Sequence, residues 1–269
     1  MPPNAFPADD PRRNKLLGTL PHEEWRRVQR NLEPTEMPLG RIVSESGAQL
    51  RHVYFPTTST VSLAYVTADG ESTEIAAVGN EGLVGIALFM GGRTMLGRAV
   101  VQTAGWAYRL KREMLTEEFA RGGAMQRVLL LYTQVCLTQI ALMAICNQHH
   151  SIEQQLTRWL LLTLDRLASE ELIITHELIA NILGVRREGI TEATGKLQQL
   201  RLIASSRGRI TVIDRAGLEA RCCECYGVVR REYERLLGSG AYVPDECDML
   251  PFRDKTAPRS LDGSKCTVK

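Results

Sequence analysis

No lysine, arginine, aspartate or glutamate occurs between residues 128 and 152 of this 269-residue chain. An uncharged run of that length is long enough to span a bilayer. Thr133, Gln134, Thr138, Gln139, Asn147 and Gln148 interrupt it, and such residues are costly in lipid. The run therefore predicts a helix buried on nearly all sides within protein, and no membrane partner. Cysteine is missing before Cys136, Cys222 and Cys225 hold the one CxxC spacing among the seven cysteines, and the number is odd. That argues against a disulfide scaffold and for reduced thiols in the cytoplasm. The opening MPPNAFPADDPRR lacks the apolar stretch of a secretory signal. GxSxG, a Walker loop, HExxH and a Rossmann fingerprint are all missing, so no enzymatic activity and no cofactor are expected.

What is present is a globular composition, 44% hydrophobic and 24% charged, with enough apolar residues for a normal core. The net charge of +2 is uninformative, but its distribution is not. Residues 36–92 hold six acids and two bases, whereas residues 184–209 hold six bases (Arg186, Arg187, Lys196, Arg201, Arg207, Arg209) and two acids. One part only is suited to a polyanion.

Residues 1–13 carry four prolines and are expected to be disordered, and residues 14–31 read as short helices. From residue 37 to 111, β-branched and aromatic runs (41–43, 52–55, 60–66, 74–78, 98–102, 106–110) alternate with Gly, Asp and Ser, and Ala68-Asp69-Gly70-Glu71 reads as a hairpin turn. This predicts an all-β sandwich or a barrel-like antiparallel β-roll. A short helix over 116–122 and a long one over 124–149 follow. On the long helix Met125, Val128, Tyr132, Val135, Gln139, Leu142 and Cys146 recur in threes and fours, the period of a helix–helix seam, so a homodimer built on that helix is expected, with the stripe also packing on its own β domain. Ser151-Ile152-Glu153-Gln154 matches a capping box, which starts a new helix running to about residue 168. The fold class is α+β, in four parts: a β-roll over 14–115, a dimerisation helix over 116–149, a helical and hairpin unit over 150–237, and a loose tail over 238–269.

The most informative stretch is ITHELIANILGVRREGIT, residues 174–191. Thr175 is a helix cap. Leu178, Ile179 and Ile182 give the first helix an inner face, and Gly184 can take the left-handed conformation that ends it. Val185 sits in the turn, and Ile190, Ala193, Thr194 and Leu197 line the inside of the second helix. Arg186, Arg187, Glu188, Thr191, Glu192 and Gly195 are then left nearer the outside. This is a helix-turn-helix. Arg187 suits guanine O6 and N7 and Glu188 suits cytosine N4; Arg186 and Lys196 suit phosphates. A hairpin over 202–213 follows, with Arg207 and Arg209 at a basic tip, and Asp214 caps a final helix reaching about residue 237. The arrangement is a winged helix-turn-helix with double-stranded DNA as its partner.

With these motifs the chain resembles the catabolite activator / fumarate–nitrate regulator (Crp/Fnr) superfamily of transcription regulators along nearly its whole length. The resemblance implies a cyclic-nucleotide-binding-like β-roll, a long dimerisation helix and a winged helix-turn-helix reading a palindromic operator, with RNA polymerase as a further partner. The family's base-reading Arg-Glu pair falls on Arg187 and Glu188, while a third reading position, often Arg in the family, is Glu192. The phosphate-cassette region resembles residues 79–92. There the family's ribose Glu falls on Gly85 and its Arg-Ser pair near Met95-Leu96, with Arg93-Thr94 two residues early. Gly82, Gly85, Arg93 and Thr94 remain the effector candidates, but a phosphate without a matched cation is desolvated at a net cost. A degenerate nucleotide site is therefore expected. The iron–sulfur branch needs N-terminal cysteines, which are absent, and His22 and His52 are haem ligands in name only.

A second reading gives Cys222 and Cys225, three apart on a predicted helix, a metal or redox role, with His149-His150 joining only if the fold brings them close. No second CxxC or H-x3–5-H pair completes a zinc pattern, so the cysteines are expected to pack a helix and no metal is expected. A third reading is an interaction protein whose helix-turn-helix no longer binds DNA.

Overall fold

The computed structural model describes residues 10–69, 72–167 and 171–238. Of the disorder expected over residues 1–13, the part at 10–13 is corrected, since Asp10 caps a 3-10 turn there; residues 1–9 and the tail beyond 238 lie outside the described residues. A single 3-10 turn (Pro11–Arg13), α1 (Lys15–Gly18) and α2 (His22–Gln29) open the chain. Asn14 is the joint that docks them. It is fully buried, accepts from the amides of Leu16 and Leu17, and donates to the carbonyls of Pro56 (3.0 Å) and Gly82 (2.7 Å).

Seven strands follow: β1 (Glu33–Met37), β2 (Ile42–Ser44), β3 (His52–Pro56), β4 (Thr60–Val66), β5 (Ser72–Val78), β6 (Arg98–Thr103) and β7 (Gly105–Lys111). They form two antiparallel sheets, ordered β1-β7-β3 and β2-β6-β4-β5. The expected hairpin joins β4 to β5, with Val66 opposite Ser72, although Gly70 and Glu71 of its turn lie outside the described residues. β1 was not expected. Its sequence, EPTEM, has no apolar alternation, and it is an edge strand, where Pro34 is tolerated. Met37, Val61, Val78, Ala99, Val101 and Ala107 form the core of the roll.

Helix α3 (Arg112–Ala120) starts earlier than the expected residue 116 and leads to α4 (Ala124–His149). Among the described residues α4 is one helix long and apolar enough to cross a membrane, but only a third of that apolar window is buried. Within the single chain one side of α4 packs on the roll and on the last helix, and the other is open. The rest comprises α5 (Ile152–Leu164), β8 (Glu171–Ile173), α6 (His176–Leu183), α7 (Arg187–Gln199), β9 (Ile203–Ser206), β10 (Arg209–Val212), α8 (Arg215–Arg221) and α9 (Glu224–Leu237). The Ser151/Gln154 capping box is present. A single helix after Asp214 was expected; two are found. Cys222 and Cys223 are extended there (ψ 153° and 160°), and the break lets α9 return to pack along α4.

Behind β5 sits a buried carboxyl group. Glu74 accepts from Ser62 Oγ (2.5 Å) and Gln102 Nε2 (3.2 Å), and burial, opposed by these donors and by the charges of Arg166 and Arg158, raises its pKa to about 7. The raised value favours the protonated folded state. Between about pH 4.5 and 7 the unfolded chain loses this proton and the folded chain keeps it, so stability falls as pH rises. Glu74→Gln is expected to be more stable than wild type at pH 8 by about 3 kcal/mol, and equal to it at about pH 4. Urea unfolding at both pH values checks this.

Candidate nucleic-acid interface

Thr175 caps α6, its hydroxyl accepting from the amide of Leu178 (3.2 Å), and Gly184 ends the helix at φ 66°. Ile179, Ala180, Ile182 and Leu183 are buried beneath it. Leu178, expected inside, is 42% exposed; the inner face is rotated by one residue toward Leu183. Val185 fills the angle between the helices. On α7, Ile190, Ala193, Thr194 and Leu197 are all buried, as their spacing requires. These residues join Leu156, Leu160, Leu202, Ile210 and Leu218 in one core.

The opposite face of α7 is open. Arg186, Arg187, Glu188, Thr191, Glu192 and Lys196 are all exposed. Arg187 lies 3.8 Å from Glu177, both side chains being more than 60% exposed, a pairing of little strength. Lys196 pairs with Glu192 at 2.7 Å. Thr191 Oγ1 donates to the carbonyl of Arg187 (3.1 Å) and lies 3.2 Å from His176 Nδ1. Burial and the nearby Arg187 charge lower the pKa of His176, which favours a neutral ring beside the helix.

The hairpin runs antiparallel with Arg209 opposite Ser206. Its two turn residues, Arg207 and Gly208, both have positive φ (49° and 75°), the pattern of a type I′ turn matched to strand twist. Arg207 is exposed at the tip; Arg209 pairs with Glu171 on β8, a third strand that the sequence did not reveal.

The seven seam residues all lie against other parts of their own chain. Met125, Tyr132, Val135, Gln139 and Cys146 are buried within the single chain, and Val128 and Leu142 are partly buried against its own cores. They face the roll and α9 because those elements cover that side of α4. The side left open carries Leu130, Leu137, Ile140, Ala141, Ala144 and Ile145, again in threes, fours and a seven.

Nor are the effector candidates gathered into one site. Gly82 lies so close to Tyr132 that a Cβ there would meet the phenol oxygen at 2.2 Å. Gly85 (φ 114°) backs onto Val53. Arg93 and Thr94 are exposed, and their backbone pairs with Leu50 and Gln49. A cavity of about 430 Å³ lies elsewhere, where the roll meets the helices, lined by Glu81, Tyr132, Gln139, Arg166, Arg230 and Tyr233 among others. Beside it the buried Arg166 pairs with Glu81 at 2.6 Å, and Tyr233 donates to the Glu81 carbonyl.

The cysteines also depart from expectation. Cys222 and Cys225 do not share a helix face, since the chain breaks between them. Cys223 and Cys225 instead meet Cys146 and His150 from the end of α4. Only tertiary contact brings residues 146–150 to 223–225, so no sequence spacing marks the group.

The family model described as a Crp-like helix-turn-helix domain matches residues 154–221. No curated protein matches the sequence at a significant level. Solved structures do share the fold. One is a crp/fnr-family transcriptional regulator from Eubacterium rectale, with 18% identity, 77% of this chain and 96% of that one covered, and a TM-score of 0.61. FixK2 from Bradyrhizobium japonicum has 16% identity, coverage of 71% and 98%, and a TM-score of 0.60. TTHB099, a CRP-family transcriptional regulator from Thermus thermophilus, has 18% identity, coverage of 70% and 95%, and a TM-score of 0.59. Residues 154–221 are thus a Crp-like helix-turn-helix domain, and the chain around them has the fold of the Crp/Fnr transcription regulators.

Proposed function

We propose that the protein is a cytoplasmic, homodimeric, sequence-specific DNA-binding regulator of transcription. The observation that carries this reading is the open polar face of α7, Arg186 to Lys196, beside a wing whose basic tip points outward. α7 enters the major groove, Arg187 and Glu188 read bases, and Thr175, Arg186, Lys196, Arg207 and Arg209 hold phosphates. Lys196 and Arg209 are paired within the protein and exchange those partners for phosphate. Two chains associate along the open stripe of α4, and their recognition helices address a palindrome one DNA turn apart. RNA polymerase is the further partner this reading implies.

Signal control belongs to the roll in this reading, though not through Arg93-Thr94, whose exposure leaves a phosphate in water. Coupling to the reading head runs through β5, which packs on α6, and through the Glu81–Arg166 pair.

The wing supplies the test. Arg207→Asn removes the charge and suits the left-handed backbone at that position. Affinity for duplex DNA is expected to fall about equally for all sequences. The slope of log K against log salt should shrink by about one for each phosphate no longer neutralised. A salt titration by fluorescence anisotropy measures both. An unchanged slope removes the wing from the interface.

A further inference from the structure

We propose that Cys146, His150, Cys223 and Cys225 form a binding site for one zinc ion. Their ligand atoms all lie within 4.8 Å of one another. Cys146 Sγ is 3.7 Å from Cys223 Sγ, and Cys225 Sγ is 3.7 Å from His150 Nδ1. Tetrahedral zinc with ordinary bond lengths sets its ligands about 3.8 Å (S to S) and about 3.6 Å (S to N) apart. The sulfur separation is far beyond a disulfide bond of about 2.05 Å. Three thiols and an imidazole make the donor set of one nitrogen and three sulfurs found in closed structural zinc sites, and hard cations such as Mg2+ do not suit it.

The local structure explains how the four meet. Cys146 lies in the last turn of α4 and His150 is its C-cap, whose amide donates to the Cys146 carbonyl (3.1 Å) and so holds the two residues together. Cys223 is the N-cap of α9 and Cys225 lies in its first turn. The break at Cys222–Cys223, which no glycine or proline demands, turns these side chains toward α4. All three cysteines are buried, with Leu142 packed against them.

Two further observations point to a bound ion. His150 presents Nδ1 to the sulfur while its Nε2 lies 3.4 Å from the Glu224 carboxylate. A carboxylate on the far nitrogen is the usual support of a metal-bound histidine. Arg158 is fully buried, its Nε and Nη1 have no hydrogen-bond partner, and Nη2 meets only Met143 Sδ. Its charge reaches Cys146 and Cys225, although the hydrogen bond with Cys223 and burial raise the Cys146 thiol and burial raises that of Cys225 while no ion is bound. A zinc ion held by three thiolates and a neutral imidazole has a net charge of about −1, and the buried guanidinium balances it. With neutral thiols the cation lacks that compensation; Glu74, the carboxyl group that also feels it, is itself held near pKa 7.

The ion fastens the first turn of α9 to the last turn of α4, at the joint where the chain enters the helix-turn-helix. The experiment uses the full, untagged chain purified under reducing conditions. Elemental analysis is expected to find one zinc per chain. Replacement by Co2+ should give the charge-transfer bands of thiolate ligation and the visible bands of tetrahedral geometry. Cys223→Ser and His150→Ala should lose the metal, while Cys136→Ser, outside the cluster, should keep it. In case the cluster variants fail to fold, removal of zinc from wild type by a chelator should lower Tm by about 5–10 °C, reversibly on adding Zn2+. The proposal is overturned if the reduced chain takes up neither Zn2+ nor Co2+. A Cys146–Cys223 disulfide in that preparation, or equal metal loss from Cys136→Ser, also overturns it. None of these readouts involves DNA, so they stand or fall apart from the regulatory function.

Discussion

Arg187→Ala is expected to abolish discrimination at one base position in each half of the operator while leaving the protein folded. A bidentate arginine–guanine contact contributes about 1–3 kcal/mol of discrimination. A symmetric dimer makes it twice, so operator affinity should fall about 30-fold to 10⁴-fold, with affinity for unrelated DNA little changed. The structure supports so selective an effect. Arg187 is the first residue of α7, is 66% exposed at its side chain, and has only the exposed Glu177 beside it at 3.8 Å. Freeing it to reach a base costs little. Alanine is a good helix residue, so the melting temperature should not drop. Competition binding against operators altered at each position is the measurement. A uniform loss across all sequences would make Arg187 a phosphate contact instead.

The second large effect concerns α4. Leu137 is 63% exposed at the centre of the open stripe, flanked by Leu130 at 51% and Ile145 at 48%. Leu137→Glu is expected to convert the proposed dimer to a monomer, because two carboxylates would be desolvated across its seam. A monomer engages one half-site, and operator affinity should fall at least about 10³-fold, toward the non-specific level. Sedimentation at micromolar concentration and DNA binding should change together, while the single-chain fold survives. A dimer that persists would place the interface elsewhere. The same substitution at Tyr132 or Val135 does not test dimerisation, since both are buried within the chain and the fold itself would suffer.

That contrast shows where sequence reading succeeds and where it stops. The helix-turn-helix was legible because its two helices alternate apolar and polar faces sharply: Ile190, Ala193, Thr194 and Leu197 are buried, and the residues between them are not. Gly184 marks the turn because its left-handed backbone favours glycine. Helix α4 lacks that contrast. Apolar residues surround it, so threes and fours can be traced along either side, and only the position of α9 decides which side is free. Leu178 failed for a related reason, since Leu178 and Ile179 are adjacent and period alone cannot choose between them. β1 was hidden by being an edge strand with proline and two glutamates, exposed enough to need no apolar face. The cysteine–histidine cluster depends on an approach between residues more than seventy positions apart, which no local pattern encodes.

Sequence-specific DNA binding by a symmetric dimer through α7 is tested most directly by selection from random duplex DNA. Purified protein and Arg187→Ala should be carried through the same rounds, with and without added cell metabolites. Wild type is predicted to enrich an inverted repeat with half-sites about one helical turn apart, and the variant to lose one specified position in each half. Enrichment of nothing under any condition, or of the same repeat by both proteins, would contradict the reading.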